Sequence, residues 1–194
     1  MKQKLYKNKL LVAGLAFIIF IAAMISYQVI RGNILGGPST GGKVLLMTSM
    51  GNITLELWND MPITTTNFKS LVNRGVYDGT IFHRVEPPYV IQGGDPTGTG
   101  YGDPSLTPIN DEYSPNPEHN WNLRGTLGMA KAGNNTATSQ FFINLQDNRG
   151  WDDLYTVFGR VYSGMAIVDT MANVTRTGTI PNENITIIKA QIIG

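Results

Sequence analysis

Residues 81–96, IFHRVEPPYVIQGGDP, decide how the middle of the chain folds, because they place two short apolar runs on either side of a proline pair. Pro87 and Pro88 cannot donate to a β-ladder, so the two runs cannot continue as one straight strand. A bend or hairpin between them would bring Arg84 and Gln92 together. From this stretch alone, Arg84 fits equally well as a structural arginine bonded to a loop carbonyl and as part of a functional site.

The composition indicates a globular, turn-rich chain without a nucleic-acid partner. Of the 194 residues, 42% are hydrophobic and 15% are charged, and 22 are glycine. Residues 1–31 carry five basic residues and no acidic one, so the remainder has more acidic than basic residues. A mildly acidic body offers no basic surface for nucleic acid.

The N-terminal part divides into three predicted segments. Residues 1–9 are basic, and residues 10–30, LLVAGLAFIIFIAAMISYQVI, contain no charged residue. An apolar run of this length can cross a bilayer as a helix, and the preceding lysines predict a cytoplasmic N-terminus with the domain on the other side. Residues 31–42 are rich in Gly, Ser and Thr, which predicts a flexible linker.

A cleavable signal peptide is the alternative to a retained anchor, with a cut near Ala22-Ala23 or Ser26. The apolar region of a signal peptide is usually about 7–15 residues long and ends at a small-residue cleavage site. The run here is longer and has no clear A-x-A site, which favours the anchor. The predicted location is the cell membrane, single-pass with an extracytoplasmic domain, or secretion if the helix is cleaved.

Residues 43–194 show the pattern of an antiparallel β protein with two helices. Residues 43–58 predict two strands joined by a turn, whereas residues 61–75 and 164–174 have apolar faces with helical spacing. Short apolar runs separated by turns fill the rest, which favours an antiparallel barrel or sandwich. The long irregular segment at residues 95–122 is uncommon unless it is functional or pinned to the body.

The sequence offers no nucleophilic or metal site. The chain has no cysteine, and its two histidines, His83 and His119, do not have metal-ligand spacing. Ser139 lies outside a G-x-S-x-G elbow, which argues against a hydrolytic triad. Side chains alternate along a strand, so His83 should point away from Arg84 and be structural. We expect no metal and no cofactor.

Several strings in the domain resemble the cyclophilin family of peptidyl-prolyl cis–trans isomerases. They are FHRV (82–85), YVIQGGDPTGTGYG (89–102), GTLGMAKAG (125–133), SQFFI (139–143) and YTVFGRVYSGM (155–165). Together with NFKSLVNRGVYDGTIFHRV (67–85), they extend the similarity through nearly all of residues 43–194 in the expected order. The resemblance implies a mainly β fold, a closed eight-stranded antiparallel β-barrel capped by two α-helices.

The resemblance also implies a site in an exposed groove of the barrel. Arg84 looks like the catalytic arginine of the family, Phe142 like the floor of the proline pocket, and Gln92 like a contact to the substrate backbone. The substrate-binding positions implied in this way are Tyr89, Val90, Gln92, Ala130, Lys131, Gln140, Phe142, Trp151, Leu154 and Tyr155. The implied partners are proline-containing polypeptides.

Three positions depart from the usual family pattern. Tyr155 stands where the family frequently has His, a replacement similar to that in many prokaryotic members, so the chain resembles a membrane-anchored, prokaryotic-like member. Lys131 stands where many relatives have Asn. Trp151 falls at or next to the position that contacts cyclosporin in sensitive members, which leaves cyclosporin binding open.

The resemblance predicts an enzyme that accelerates X–Pro isomerisation in proteins folding outside the cytoplasmic membrane, where this step can limit folding. A module that holds proline segments without turnover is an alternative, as is a tethered assembly protein whose isomerase activity is incidental. The presence of Arg84, Gln92 and Phe142 together favours the enzyme.

Overall fold

The computed structural model describes residues 41–193, which form ten strands, two α-helices and two short 3-10 helices. The strands are β1 (Lys43–Thr48), β2 (Gly51–Leu57), β3 (Arg84–Glu86), β4 (Val90–Gly93), β5 (Thr126–Met129), β6 (Phe141–Asn144), β7 (Val157–Ser163), β8 (Arg176–Thr177), β9 (Ile180–Pro181) and β10 (Ile187–Ile193). The α-helices are α1 (Pro62–Asn73) and α2 (Met165–Ala172), and the 3-10 helices are Pro117–Asn120 and Arg149–Trp151.

The predicted N-terminal segments, residues 1–9, 10–30 and most of 31–42, lie outside the described residues. Within residues 41–193, none of the helices has the length and apolar character needed to span a bilayer.

One antiparallel sheet holds eight of the described strands, in the order β10-β1-β2-β7-β5-β6-β4-β3. Its inner face follows from alternation along the chain, since Val44 and Leu46 in β1 and Ile53 and Leu55 in β2 are all fully buried. The prediction of a mainly β fold with two helices is therefore confirmed. The two-stranded hairpin β8–β9 was not predicted, because its strands are only two residues long.

The prediction of a closed barrel is wrong in its detail, because no ladder joins the edge strands β3 and β10 in the described residues. The segment before β3 meets the start of β10 instead. The backbone N–H of Gly79 donates to the Ile187 carbonyl at 2.8 Å, and the N–H of Ile187 donates to Thr80 at 2.8 Å. Gly79 has a φ of 80°, so the chain turns here and only a few residues can pair. The sheet curls round and its edges touch over this short seam.

The core is an aromatic cluster centred on α1. The ring of Phe68 lies 4.9 Å from Tyr77, 5.2 Å from Phe158 and 5.5 Å from Phe141, measured between ring centroids. Burial raises the pKa of Tyr77 well above its ordinary value, and its hydroxyl donates to the Ser139 carbonyl at 3.0 Å. Because β6 supplies both Phe141 to this core and Phe142 to the opposite face, the core fixes one wall of the groove described below.

The long segment at residues 95–122 is pinned to the body, one of the two alternatives that its length left open. The N-cap residue of α1, Met61, makes no side-chain capping bond. The carboxylate of Glu112 takes its place and accepts hydrogen bonds from the backbone N–H groups of Ile63 at 3.0 Å and Thr64 at 2.9 Å. Unpaired N–H groups at a helix start attract negative charge, so this contact stabilises both the helix and the segment.

Replacement of Glu112 by Ala is expected to lower the free energy of unfolding by about 1–2 kcal/mol, the usual effect of losing a helix N-cap. Chemical denaturation followed by circular dichroism measures this change. Glu183→Ala is the matched control, because Glu183 is exposed. Equal stability of the two variants would show that Glu112 does not cap α1.

Candidate active site

The hairpin β3–β4 brings Arg84 and Gln92 into register as directly opposed residues, which confirms the predicted bend at the proline pair. The Nη1 atom of Arg84 donates to Oε1 of Gln92 at 3.1 Å, and Nη2 donates to the carboxylate of Glu86. The guanidinium is thus held by two side chains of its own hairpin. The sequence had left open that Arg84 is a structural residue bonded to a loop carbonyl. The guanidinium is instead bonded to the side chains of Gln92 and Glu86.

A relay of side-chain amides continues from Gln92 across the sheet. The Nε2 atom of Gln92 donates to Oε1 of Gln140 at 2.9 Å, and Nε2 of Gln140 donates to the carbonyl of Gly100 at 3.0 Å. Each amide uses its carbonyl oxygen toward one neighbour and its NH₂ group toward the next, so the orientation of both is fixed. The relay ties Arg84 to the loop at residues 97–102.

A buried carboxylate shapes that loop. Asp95 is fully buried, and it accepts hydrogen bonds from the backbone N–H groups of Thr97 at 2.9 Å, Gly100 at 2.7 Å and Gly102 at 3.1 Å. Burial alone would raise the pKa of Asp95, but these hydrogen bonds outweigh it, and the pKa lies below its ordinary value. The ionised carboxylate therefore holds the loop in one conformation at neutral pH.

The opposite wall of the site is aromatic and centres on Phe142, which is 4% exposed. Its ring meets Tyr155 at 5.5 Å and 89°, and Trp151 at 6.1 Å and 86°, both edge-to-face arrangements that aromatic pairs prefer. Gly128 lies directly behind the ring, because a Cβ atom there would be 2.2 Å from Cζ of Phe142. Only glycine leaves room for the ring in this position.

Arg84 and Phe142 face a cavity of about 530 Å³. The predicted site residues that line it are Arg84, Val90, Gln92, Ala130, Lys131, Gln140, Phe142, Trp151 and Tyr155. We call this cavity the groove. Its size suits a few residues of a peptide, and its lining combines an apolar floor with polar groups along one side.

Two predicted site residues do not line the groove. Tyr89 is 44% exposed and lies at the rim, where its ring is 6.2 Å from that of Trp151. Leu154 is 55% exposed and lies in the turn after Trp151, where the chain passes through Asp153 with a φ of 57°. Leu154 follows this left-handed residue and does not line the groove.

Lys131 lies at the edge of the groove, but its charge is already paired. Its Nζ atom is 2.6 Å from Oδ2 of Asp111, and the two side chains are only 9% and 10% exposed. A buried ion pair is costly to break, because the remaining charge loses its partner in a dry environment. Lys131 therefore fastens the long segment to the groove instead of presenting a free ammonium group.

Several lining residues were missed by the sequence reading. They are Gly100, Tyr101, Gly102, Asp103, Pro104, Leu106, Pro108, Ala132, Thr136 and Thr138. Most lie in the segment that the sequence marked only as irregular. The signal that could have found them is the glycine string that follows Asp95, since a buried carboxylate needs nearby backbone N–H groups and glycines bring them close.

The family model described as cyclophilin type peptidyl-prolyl cis-trans isomerase/CLD matches residues 43–192. The chain therefore belongs to the cyclophilin-type peptidyl-prolyl cis–trans isomerases, and it is an enzyme of that class.

Curated relatives carry the same description over nearly their whole length. Peptidyl-prolyl cis-trans isomerase-like 1 of Gibberella zeae is 44% identical over 156 residues, which cover 78% of this chain and 94% of that protein. The protein of the same name in Homo sapiens is 44% identical over 150 residues, which cover 76% of this chain and 90% of that protein. Both relatives are eukaryotic and give no support to a prokaryotic-like assignment.

A solved structure agrees with the fold. The cyclophilin type peptidyl-prolyl cis-trans isomerase of Cryptosporidium parvum has 34% identity and a TM-score of 0.74, covering 79% of this chain and 98% of that chain. The same protein was also crystallised in the presence of the dipeptide Ala-Pro, and that structure has a TM-score of 0.73 and covers 78% of this chain and 99% of that chain.

The contact between Gly128 and Phe142 leads to a prediction for activity. Gly128→Ala must push the ring into the groove or tilt it, and a shift of about 1 Å is expected to lower kcat/KM by about tenfold or more. A protease-coupled assay with a proline tetrapeptide measures the loss, and circular dichroism checks the fold. The matched control is Gly133→Ala, because a Cβ atom at Gly133 meets nothing within 4 Å. If both variants keep the activity of the parent protein, the position of Phe142 does not govern the reaction.

Proposed function

We propose that Arg84 is the catalytic residue for X–Pro isomerisation and that the groove holds the proline. The observation that supports this most is the placement of a fixed guanidinium beside an aromatic cavity of peptide size. The reaction has a barrier of about 18–20 kcal/mol, because rotation destroys the resonance of the amide. Without a catalyst it takes on the order of 10–100 s at 25 °C.

The chemistry calls for a hydrogen-bond donor aimed at one atom. In the twisted transition state, the prolyl nitrogen loses conjugation and regains a lone pair that can accept a hydrogen bond. In the planar ground state this lone pair is not available, so a donor there stabilises the transition state selectively. The guanidinium of Arg84 has N–H groups beyond those bonded to Gln92 and Glu86.

Rotation about one bond also requires that one side of it stay still. Phe142, Val90 and Tyr155 form the apolar surface on which a proline ring would rest. Gln92 lies beside Arg84 with its orientation set by Gln140, so a substrate backbone next to it would find a pre-oriented amide. Holding both parts in place removes much of the entropic cost of reaching the transition state.

The substrates that we propose are proline-containing polypeptides. The crystallisation of the Cryptosporidium parvum relative in the presence of Ala-Pro supports this class of ligand. Titration of the protein with cyclosporin tests whether the groove also binds this ligand, because Trp151 lines the groove.

Arg84→Ala is expected to lower kcat/KM for a proline tetrapeptide by about 10²-fold or more, because the donor to the prolyl nitrogen is lost. The protease-coupled assay or NMR exchange spectroscopy measures this effect. Arg84→Lys is the matched control, because it keeps the charge without the fork of donors, and it should recover only a small part of the activity. Full activity of the folded Arg84→Ala variant would exclude Arg84 as the catalytic group. A folded parent protein that does not accelerate the reaction would instead indicate a proline-binding module.

We further propose that residues 10–30 anchor the enzyme in a membrane and that the domain lies outside the cytoplasm. The support is the sequence itself, an uncharged apolar run preceded by four lysines. The prokaryotic-like assignment likewise rests on Tyr155 alone and stays a prediction. An enzyme held near the membrane would act on chains as they emerge and fold.

Fractionation of cells that express the full chain tests the anchor. The protein is expected in the membrane fraction after a carbonate wash, and external protease should reach the domain in cells whose wall has been removed. A variant with Ile18→Arg and Ile21→Asp should leave the membrane, because two charges at the centre of the run cost several kcal/mol. Cleavage to a soluble, secreted form would support the signal peptide, and a soluble cytoplasmic full-length chain would exclude both readings.

A further inference from the structure

A second cavity of about 430 Å³ adjoins the groove. Both cavities are lined by Arg84, Gln92, Gly100 and Tyr101, which therefore form a ridge between them. We call the second one the flanking cavity. Its other lining residues are Ile81, Phe82, His83, Gly98, Thr99, Thr179, Ile180, Pro181 and Asn184.

Backbone hydrogen bonds fix the outer wall of the flanking cavity. This wall is the β8–β9 hairpin, and the carbonyl of Thr179 accepts a hydrogen bond from the N–H of Val85 in β3 at 2.7 Å. The opposite wall is the loop at residues 97–102, which Asp95 holds in place and which lies close to His83. A Cβ atom on Gly100, whose φ is 83°, would be 3.2 Å from Cδ2 of His83. The cavity is preformed by the fold.

The lining of the flanking cavity mixes apolar with polar side chains and suits an uncharged occupant. Ile180 is 65% exposed on one side and Tyr101 is 97% exposed on the other, although both are large hydrophobic side chains. Of the lining residues, Arg84 is charged, and Glu86 already binds its guanidinium. Burial lowers the pKa of His83, an effect that Asp95 opposes, so the imidazole is neutral at neutral pH.

We propose that the flanking cavity binds an apolar side chain of the substrate polypeptide, one that flanks the segment held in the groove. This subsite rests on the function proposed above. The argument is continuity, because a polypeptide is longer than the groove and the adjoining surface across the ridge is concave and preformed, with Ile180 and Tyr101 exposed at its walls. Exposed Ile180 and Tyr101 would each lose contact with water when such a side chain enters.

Two nonapeptides with the same central Ala-Ala-Pro-Phe sequence test the subsite, one with leucine in its flanks and one with glycine. NMR exchange spectroscopy gives kcat/KM for each. The parent protein is expected to favour the leucine peptide by about fivefold or more, since part of an apolar side chain is buried. Peptides with leucine on one side only show which flank enters the cavity.

Ile180→Glu should reduce this preference toward one, because a carboxylate in the cavity opposes burial of leucine. Ile180→Ala provides a second variant without a new charge, and it should reduce the preference in part. The matched control is Ile188→Glu on β10, which changes a residue of similar exposure, 61%, that lines neither cavity. This control should keep the preference of the parent protein.

The outcomes separate the subsite from the reaction itself. Equal kcat/KM for the two nonapeptides would overturn the subsite, yet acceleration of the glycine peptide would still support the isomerase. A preference that persists in Ile180→Glu would also overturn it, because leucine would then bind elsewhere. If the folded protein accelerates neither peptide, the proposed catalytic role fails and the subsite fails with it.

Discussion

The buried carboxylate of Asp95 is the contact on which the polar side of the groove depends. It gathers backbone N–H groups from the loop at residues 97–102, and this places the carbonyl of Gly100 where Gln140 can donate to it. From Gln140 the hydrogen bonds pass to Gln92 and then to Arg84. A group outside the groove thus sets the direction of a guanidinium inside it. A buried charge satisfied by several donors is rigid, because each lost bond would leave a costly unpaired group.

The aromatic side of the groove is held by a different kind of force. Phe142, Trp151 and Tyr155 support one another by edge-to-face packing, and the ring of Phe142 fills the space that Gly128 leaves open. Packing of this type tolerates little displacement, since a dense interior has no spare volume. The combination gives a firm apolar floor opposite a polar wall. In the proposed mechanism, this surface holds the proline ring while the peptide bond beside it rotates.

The sequence predicted the parts of the fold that local rules determine. Alternation in β1 and β2, the proline at the start of α1 and the proline pair between Arg84 and Gln92 each act over a few residues. The partial closure of the sheet could not be predicted, because it depends on contacts between residues far apart in the chain. The β8–β9 hairpin is local, but its strands of two residues are too short to show a pattern. Local patterns were also insufficient to predict the contacts of the site residues. Resemblance placed Arg84 and Phe142 in the groove, but no local pattern reveals that Asp111 neutralises Lys131 or that Leu154 does not line the groove.

The ladder between β1 and β10 pairs Lys43 with Ile193, so the first and last strands of the described domain lie side by side. Because these two positions are neighbours in space, a short peptide could join them and the chain could be reopened at an exposed turn such as that at Ser49 between the first two strands. The curled sheet would then keep its groove while the chain ends move to another side of the domain. Circular permutation would thus change where the chain ends lie relative to the groove, without altering a residue of the site.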